Sequence, residues 1–121
     1  MFAIGAGAGP AGPSAASALG LTTQVPMKPE IAVVGRAPKG LDAVRLVSRA
    51  NQRRLELEPI EIAVLEALRI FPRHAEVSEA EALKRIGDLA KARKIDLERI
   101  KWAAETERRP AVINALDSIA A

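Results

Sequence analysis

Apolar residues recur at helical spacing through the second half of the chain. Ile60, Ala63, Val64, Ala67, Leu68 and Phe71 form one stripe, opened by Pro59 at a first helical position and closed by Pro72. Ser78 and Glu81 have the spacing of a capping box, and the helix they open carries Ala82, Leu83, Ile86, Leu89 and Ala90. Asp96 is the N-cap of a third helix bearing Leu97, Ile100 and Ala104. Pro110 begins a fourth with Val112, Ile113, Leu116 and Ile119. Short connections join the four, as in a small helical assembly.

The first half follows a different rhythm. Residues 1–13 carry turn residues and predict a loose start. Ser14–Leu19 is a short Ala-rich helix, with Ser14 as N-cap and Gly20 as its stop. Leu21–Pro29 holds Pro26 and Pro29 and predicts an extended loop. Ile31–Val34 is an apolar strand, Gly35–Gly40 a turn, and Val44–Arg49 an alternating strand. The two strands predict an antiparallel hairpin over about residues 31–49. The fold class expected is α+β: a short N-terminal helix, a small antiparallel sheet and a C-terminal cluster of four helices. Residues 14–121 form one domain, with helix and hairpin in 14–57 and the helical part in 58–121.

Composition narrows the chemistry. A chain of 121 residues, 49% hydrophobic and 27% charged, suits one globular domain. Phe2, Phe71 and Trp102 are its only rings, so the core is built from Ala, Leu, Ile and Val. No cysteine is present, which removes disulfides, thiolate metal sites and a cysteine nucleophile. A single histidine, His74, removes multi-histidine metal sites and reads as a surface loop residue. The start lacks a basic n-region and glycines and prolines interrupt it, unlike a signal peptide. No run of apolar residues is long enough to span a membrane, and a cytoplasmic location is expected.

Charge falls in blocks. From Arg36 to Arg54 six cations meet only Asp42, a balance of +5; from Leu55 to Leu83 two cations meet seven acids, or −5. From Lys84 to Lys101 seven cations meet three acids, or +4. The first block supplies the candidate nucleic-acid contacts, Arg36, Lys39, Arg45, Arg49, Arg53 and Arg54, acting on phosphates, since stacking aromatics are absent. Glu56, Glu58, Glu61 and Glu66 read as a solvated helix N-terminus and outer face. Trp102 reads as a packing residue. With the Lys84–Lys101 face it is the feature that an alternative reading, a helical protein-interaction module, would use.

Gly7-Ala-Gly-Pro-Ala-Gly12 matches the glycine fingerprint of dinucleotide-binding folds, and an FAD- or NAD-binding protein is the other alternative. The fingerprint needs a buried strand before it and a crossover helix after it. Here only Met1–Ile4 precede the glycines, and the following helix ends near Gly20. No cofactor, metal site or catalytic residue is therefore assigned.

The stretch Gly12–Pro26, GPSAASALGLTTQVP, resembles a segment of AbiEi-type antitoxins of type IV toxin–antitoxin systems. The order of later elements is similar too, including LEPIEIAVLEAL at Leu57–Leu68, and the likeness runs from about Gly5 to the end. It implies a non-enzymatic antitoxin and transcriptional regulator. In that family an N-terminal winged helix binds the operator, and the following domain is linked with antitoxin activity and a basic DNA-contacting surface. The functional partner is a nucleotidyltransferase-like toxin, counteracted without a stable complex. No winged helix precedes Gly5, so the expectation is the second domain alone, truncated or degenerate, with weak operator binding.

Overall fold

The computed structural model describes residues 6–40 and 42–120. In chain order the elements are β1 (Gly9–Pro10), α1 (Gly12–Ala18), β2 (Glu30–Val34), β3 (Arg45–Arg49), a 3-10 turn (Gln52–Glu56), α2 (Pro59–Ile70), α3 (Glu79–Lys91), α4 (Leu97–Glu105) and α5 (Pro110–Ala120). The architecture is α+β, and the four C-terminal helices occur where their stripes and caps place them. Ser78 Oγ accepts from Glu81 N at 3.2 Å and Asp96 Oδ1 from Arg99 N at 3.2 Å, while Pro59 and Pro110 each open a helix. Glu81 does not complete the capping box; its carboxylate pairs with Arg85. No helix among the described residues is long and apolar enough to cross a membrane.

The strand pair is not an antiparallel hairpin. β2 and β3 run parallel, Glu30 opposite Arg45 through Val34 opposite Arg49, and β1 adds to β2 antiparallel. The sheet is mixed, in the order β1-β2-β3. Residues 35–44 are too long for a tight hairpin turn, and with Gly35 and Gly40 both at positive φ they carry the chain back to the start of the sheet. Arg45 N donates to Pro29 O at 2.7 Å and Gly35 N to Arg49 O at 2.8 Å, extending the ladder at both ends. The consequence lies in the register: Ala32 and Val47 share one face and pack with the core. Arg49 is delivered to the end of the sheet away from Glu30.

Of the stretch expected to be loose, residues 1–5 lie outside the described residues, and residues 6–13 are more ordered than their composition implies. Gly7, Gly9, Ala11 and Gly12 are buried, and Gly9 lies directly on α2. A Cβ on Gly9 would stand 2.5 Å from Ile62 Cβ and 2.7 Å from Pro59 O, so only glycine admits this approach. α1 begins at Gly12, not at Ser14; Ala11 is its N-cap, and Ser14 Oγ instead accepts from Glu30 N at 2.9 Å. Its end is a Schellman turn: Gly20, at φ +73, donates to Ser17 O, and Leu21 N donates to Ala16 O at 2.9 Å.

α2 is the centre of the molecule. It touches β1, α1, α4 and α5, and every residue from Glu61 to Leu68 is buried. The predicted stripe is therefore only one side of a helix enclosed all round. Small residues on its neighbours, Gly9, Ala15, Ala16, Ala103 and Ala104, allow that enclosure.

Two alanine substitutions separate close approach from mere flexibility. Gly9→Ala should cost roughly 1–3 kcal/mol by overpacking against α2. Gly87→Ala in α3, where a Cβ would meet only Ile119 Cγ2 at 3.5 Å, should stabilise by about 1 kcal/mol. Urea unfolding of both variants measures the contrast, and equal effects would show that Gly9 is not a contact point.

Candidate nucleic-acid interface

The six cations of the Arg36–Arg54 block divide into two sets. Arg36 and Lys39 are exposed on the β2–β3 connection, and Arg45 at the start of β3 is 71% exposed, its Nη1 3.9 Å from Glu30 Oε1. These three are available to solvent. Arg53 is half-committed: its guanidinium lies 4.9 Å from the centre of the Trp102 ring and donates to Trp102 O and Glu105 Oε1.

Arg49 and Arg54 are turned inward. Arg49 ends β3 and grips Glu66 with two prongs, Nε to Oε2 and Nη2 to Oε1, each 2.9 Å. Arg54 is wholly buried; Nε and Nη2 donate to Glu107 Oε2 and Oε1 at 2.7 and 3.1 Å. Arg54 Nη1 lies 2.7 Å from Glu66 Oε2 but is not aligned for a hydrogen bond, so that contact is an ion pair alone. Asn51 Nδ2 reaches Glu107 Oε2 and Ala103 O, both at 2.8 Å, and locks the 3-10 turn to α4. Arg54 is thus no nucleic-acid contact, and Arg49 is largely spent on Glu66. The reason is local: the 3-10 turn rolls Arg54 beneath α2, where two carboxylates wait.

Those carboxylates correct a second expectation. Glu61 and Glu66 are buried rather than solvated. Glu61 accepts from Glu58 N at 2.8 Å, from Asp96 N at 2.7 Å, and from Arg99 Nε and Nη2, tying the start of α2 to the start of α4. Burial alone would raise the pKa of Glu66. Hydrogen bonds from Arg49 and the charge of Arg54 overcome that, and it lies below the usual carboxylate range. Glu107 behaves likewise: burial opposes ionisation, and the bonds from Arg54 and Asn51 prevail.

Beside this network opens a cleft of about 630 Å³. Arg49, Asn51, Arg53, Arg69, Glu107 and Arg109 are among its lining residues, from the end of β3, the 3-10 turn, the end of α2 and the α4–α5 connection. Arg69 and Arg109 are functional candidates that charge blocks did not reveal. Arg69 was averaged into an acidic stretch, and Arg109 lies outside the three blocks. Neither is near Arg49 in sequence.

The remaining candidates are placed as follows. His74 is exposed in the turn after α2, and Trp102 is 39% exposed. In the Lys84–Lys101 block, Lys84, Arg85, Arg99 and Lys101 pair with Asp88, Glu81, Glu61 and Asp117. The glycine fingerprint lacks its frame: β1 is two residues long, its neighbour is antiparallel, and α1 spans seven residues. A Cβ on Gly12 would lie 2.8 Å from Glu30 Oε2, so a carboxylate occupies the ground a pyrophosphate would need. Among family models, curated proteins and solved structures, none matches the chain.

The depressed carboxylates make stability depend on acid. Their folded pKa values lie below the unfolded one, so their contribution is complete above about pH 4.3 and is lost as pH falls through the folded values. Unfolding free energy should fall steadily below that pH. Glu66→Gln should cost roughly 3 kcal/mol at neutral pH and flatten the acid limb. Denaturant titrations across pH measure both, and an unchanged acid limb in Glu66→Gln would remove Glu66 as its source.

Proposed function

We propose that the chain is a non-enzymatic regulatory domain of the antitoxin type that meets the phosphate backbone of DNA through Arg36, Lys39 and Arg45. The observation that carries the DNA contact is the sorting of the basic block. Where the other arginines are drawn into ion pairs, these three stay exposed around one connection, and among the described residues only Arg45 comes within 4 Å of a carboxylate, at 3.9 Å. Such contacts position a protein on a duplex without reading its bases. The connection offers no aromatic platform, so single-strand stacking is disfavoured.

The antitoxin part of the proposal is supported by the resemblance of Gly12–Pro26 and of the element order. In the structure that stretch is α1, its Schellman stop and the loop after it, with Ala15, Ala16, Leu19 and Leu21 in the core. On this reading the domain acts in the cytoplasm, contacts its own operator weakly, and offsets a nucleotidyltransferase-like toxin without forming a stable complex with it.

Replacing Arg36, Lys39 and Arg45 together by Glu should weaken duplex DNA binding for all sequences alike. The slope of log K against log salt should flatten by about 0.9 for each phosphate contact removed. Fluorescence anisotropy over a salt series measures this; an unchanged slope and affinity would remove the proposed interface.

A further inference from the structure

The cleft beside Arg54 holds more positive charge than its own acids neutralise. Five arginines stand in and behind it, Arg49, Arg53, Arg54, Arg69 and Arg109, with three carboxylates, Glu66, Glu105 and Glu107. Glu66 is taken by Arg49, Glu107 by Arg54 and Glu105 by Arg53, each at 3.0 Å or closer. Arg69 comes no nearer than 3.9 Å to Glu107 Oε1, an oxygen already accepting from Arg54 Nη2. Arg109 has no ion pair among the described residues. Subtracting three paired charges from five leaves a surplus of two, on Arg69 and Arg109.

This surplus is held at a cost. The Arg69 side chain is only 22% exposed. Burial, then the charges of Arg49 and Arg109, push its pKa down, so the Arg69 guanidinium is half-desolvated beside two like charges. Neither side chain makes a hydrogen bond among the described residues, and the one ion contact of Arg69 is the 3.9 Å approach to Glu107.

We propose that the cleft between β3, the 3-10 turn, the end of α2 and the α4–α5 connection binds a phosphate monoester dianion, held by Arg69 and Arg109. Two surplus charges match a monoester, which carries close to −2 at neutral pH, better than a diester with −1. Guanidinium forks suit phosphate oxygens bidentately. The volume of about 630 Å³ admits a nucleotide as well as a free phosphate. Exposed Gln52, another lining residue, offers an amide to whatever the phosphate carries. Arg36, Lys39 and Arg45 are not among the residues that line the cleft.

The test is calorimetric titration of the full chain with inorganic phosphate, adenosine monophosphate, and one oligonucleotide bearing either a 5′-phosphate or a 5′-hydroxyl. Saturable binding of the phosphorylated probes is expected, with the 5′-hydroxyl oligonucleotide roughly tenfold weaker or worse. Affinity for adenosine monophosphate should fall as pH drops from 7.5 to 5, through the second pKa of a phosphate monoester at about 6. Adenosine monophosphate binding more tightly than phosphate would identify a nucleotide site; equal affinities would identify a free-phosphate site. The Arg69→Gln, Arg109→Gln double variant should lose at least about tenfold in affinity, with a ligand-free melting temperature equal to or above that of the parent. Arg36→Gln with Lys39→Gln should bind phosphate unchanged. Absence of saturable binding, equal affinity for both oligonucleotides, or undiminished binding by the double variant would overturn the proposal. So would a lowered ligand-free melting temperature, which would make Arg69 a structural partner of Glu107.

Discussion

One guanidinium, that of Arg54, stands where the sheet, α2 and the α4–α5 corner meet. It is wholly buried between Glu66 and Glu107, and Arg49 completes the charge on Glu66 from the end of β3. Removing one member of such a group leaves its partner charged and dry, a loss of about 3–5 kcal/mol. The neighbouring geometry follows. β3 must run so that Arg49 arrives beside Glu66, the 3-10 turn must hold Arg54 under α2, and Asn51 must fasten that turn to Ala103 and Glu107.

Around the same helix the N-terminal segment solves a packing problem. α2 is enclosed on all sides, so its neighbours must come close without adding volume. β1 does so through Gly9, whose backbone rests on Pro59 and Ile62, and α1 does so through Ala15 and Ala16. Of the glycines that suggest a nucleotide loop, Gly9 is thereby accounted for as contact between backbone and helix, while Gly7 faces Val34 and Arg54 O and Gly12 faces the Glu30 carboxylate.

The helices were legible because their signals are local. Pro59, Ser78, Asp96 and Pro110 each mark a start, and each stripe has the period of one buried face. Strand direction was not, since it depends on where a connection returns, and residues 35–44 contain turn residues compatible with either sense. The burial of Glu61 and Glu66 is invisible in the sequence for a related reason. Their partners, Arg99, Arg49 and Arg54, lie up to 38 positions away, beyond any helical window. The basic block was visible as charge, but its division into exposed Arg36, Lys39 and Arg45 and inward Arg49 and Arg54 is a property of the fold. Arg69 and Arg109 converge only in three dimensions.

The arginines divide into those whose internal pairing shapes the domain and those whose exposed or surplus charge is proposed to meet an anionic partner. Within the first set, Arg54 and Glu66 act as one unit. A double-mutant cycle measures this directly, with urea unfolding of Arg54→Met, Glu66→Leu and the pair together. A coupling free energy of about 1–3 kcal/mol is predicted, the double variant losing much less than the sum of the singles. Additive losses, with coupling below about 0.5 kcal/mol, would contradict it.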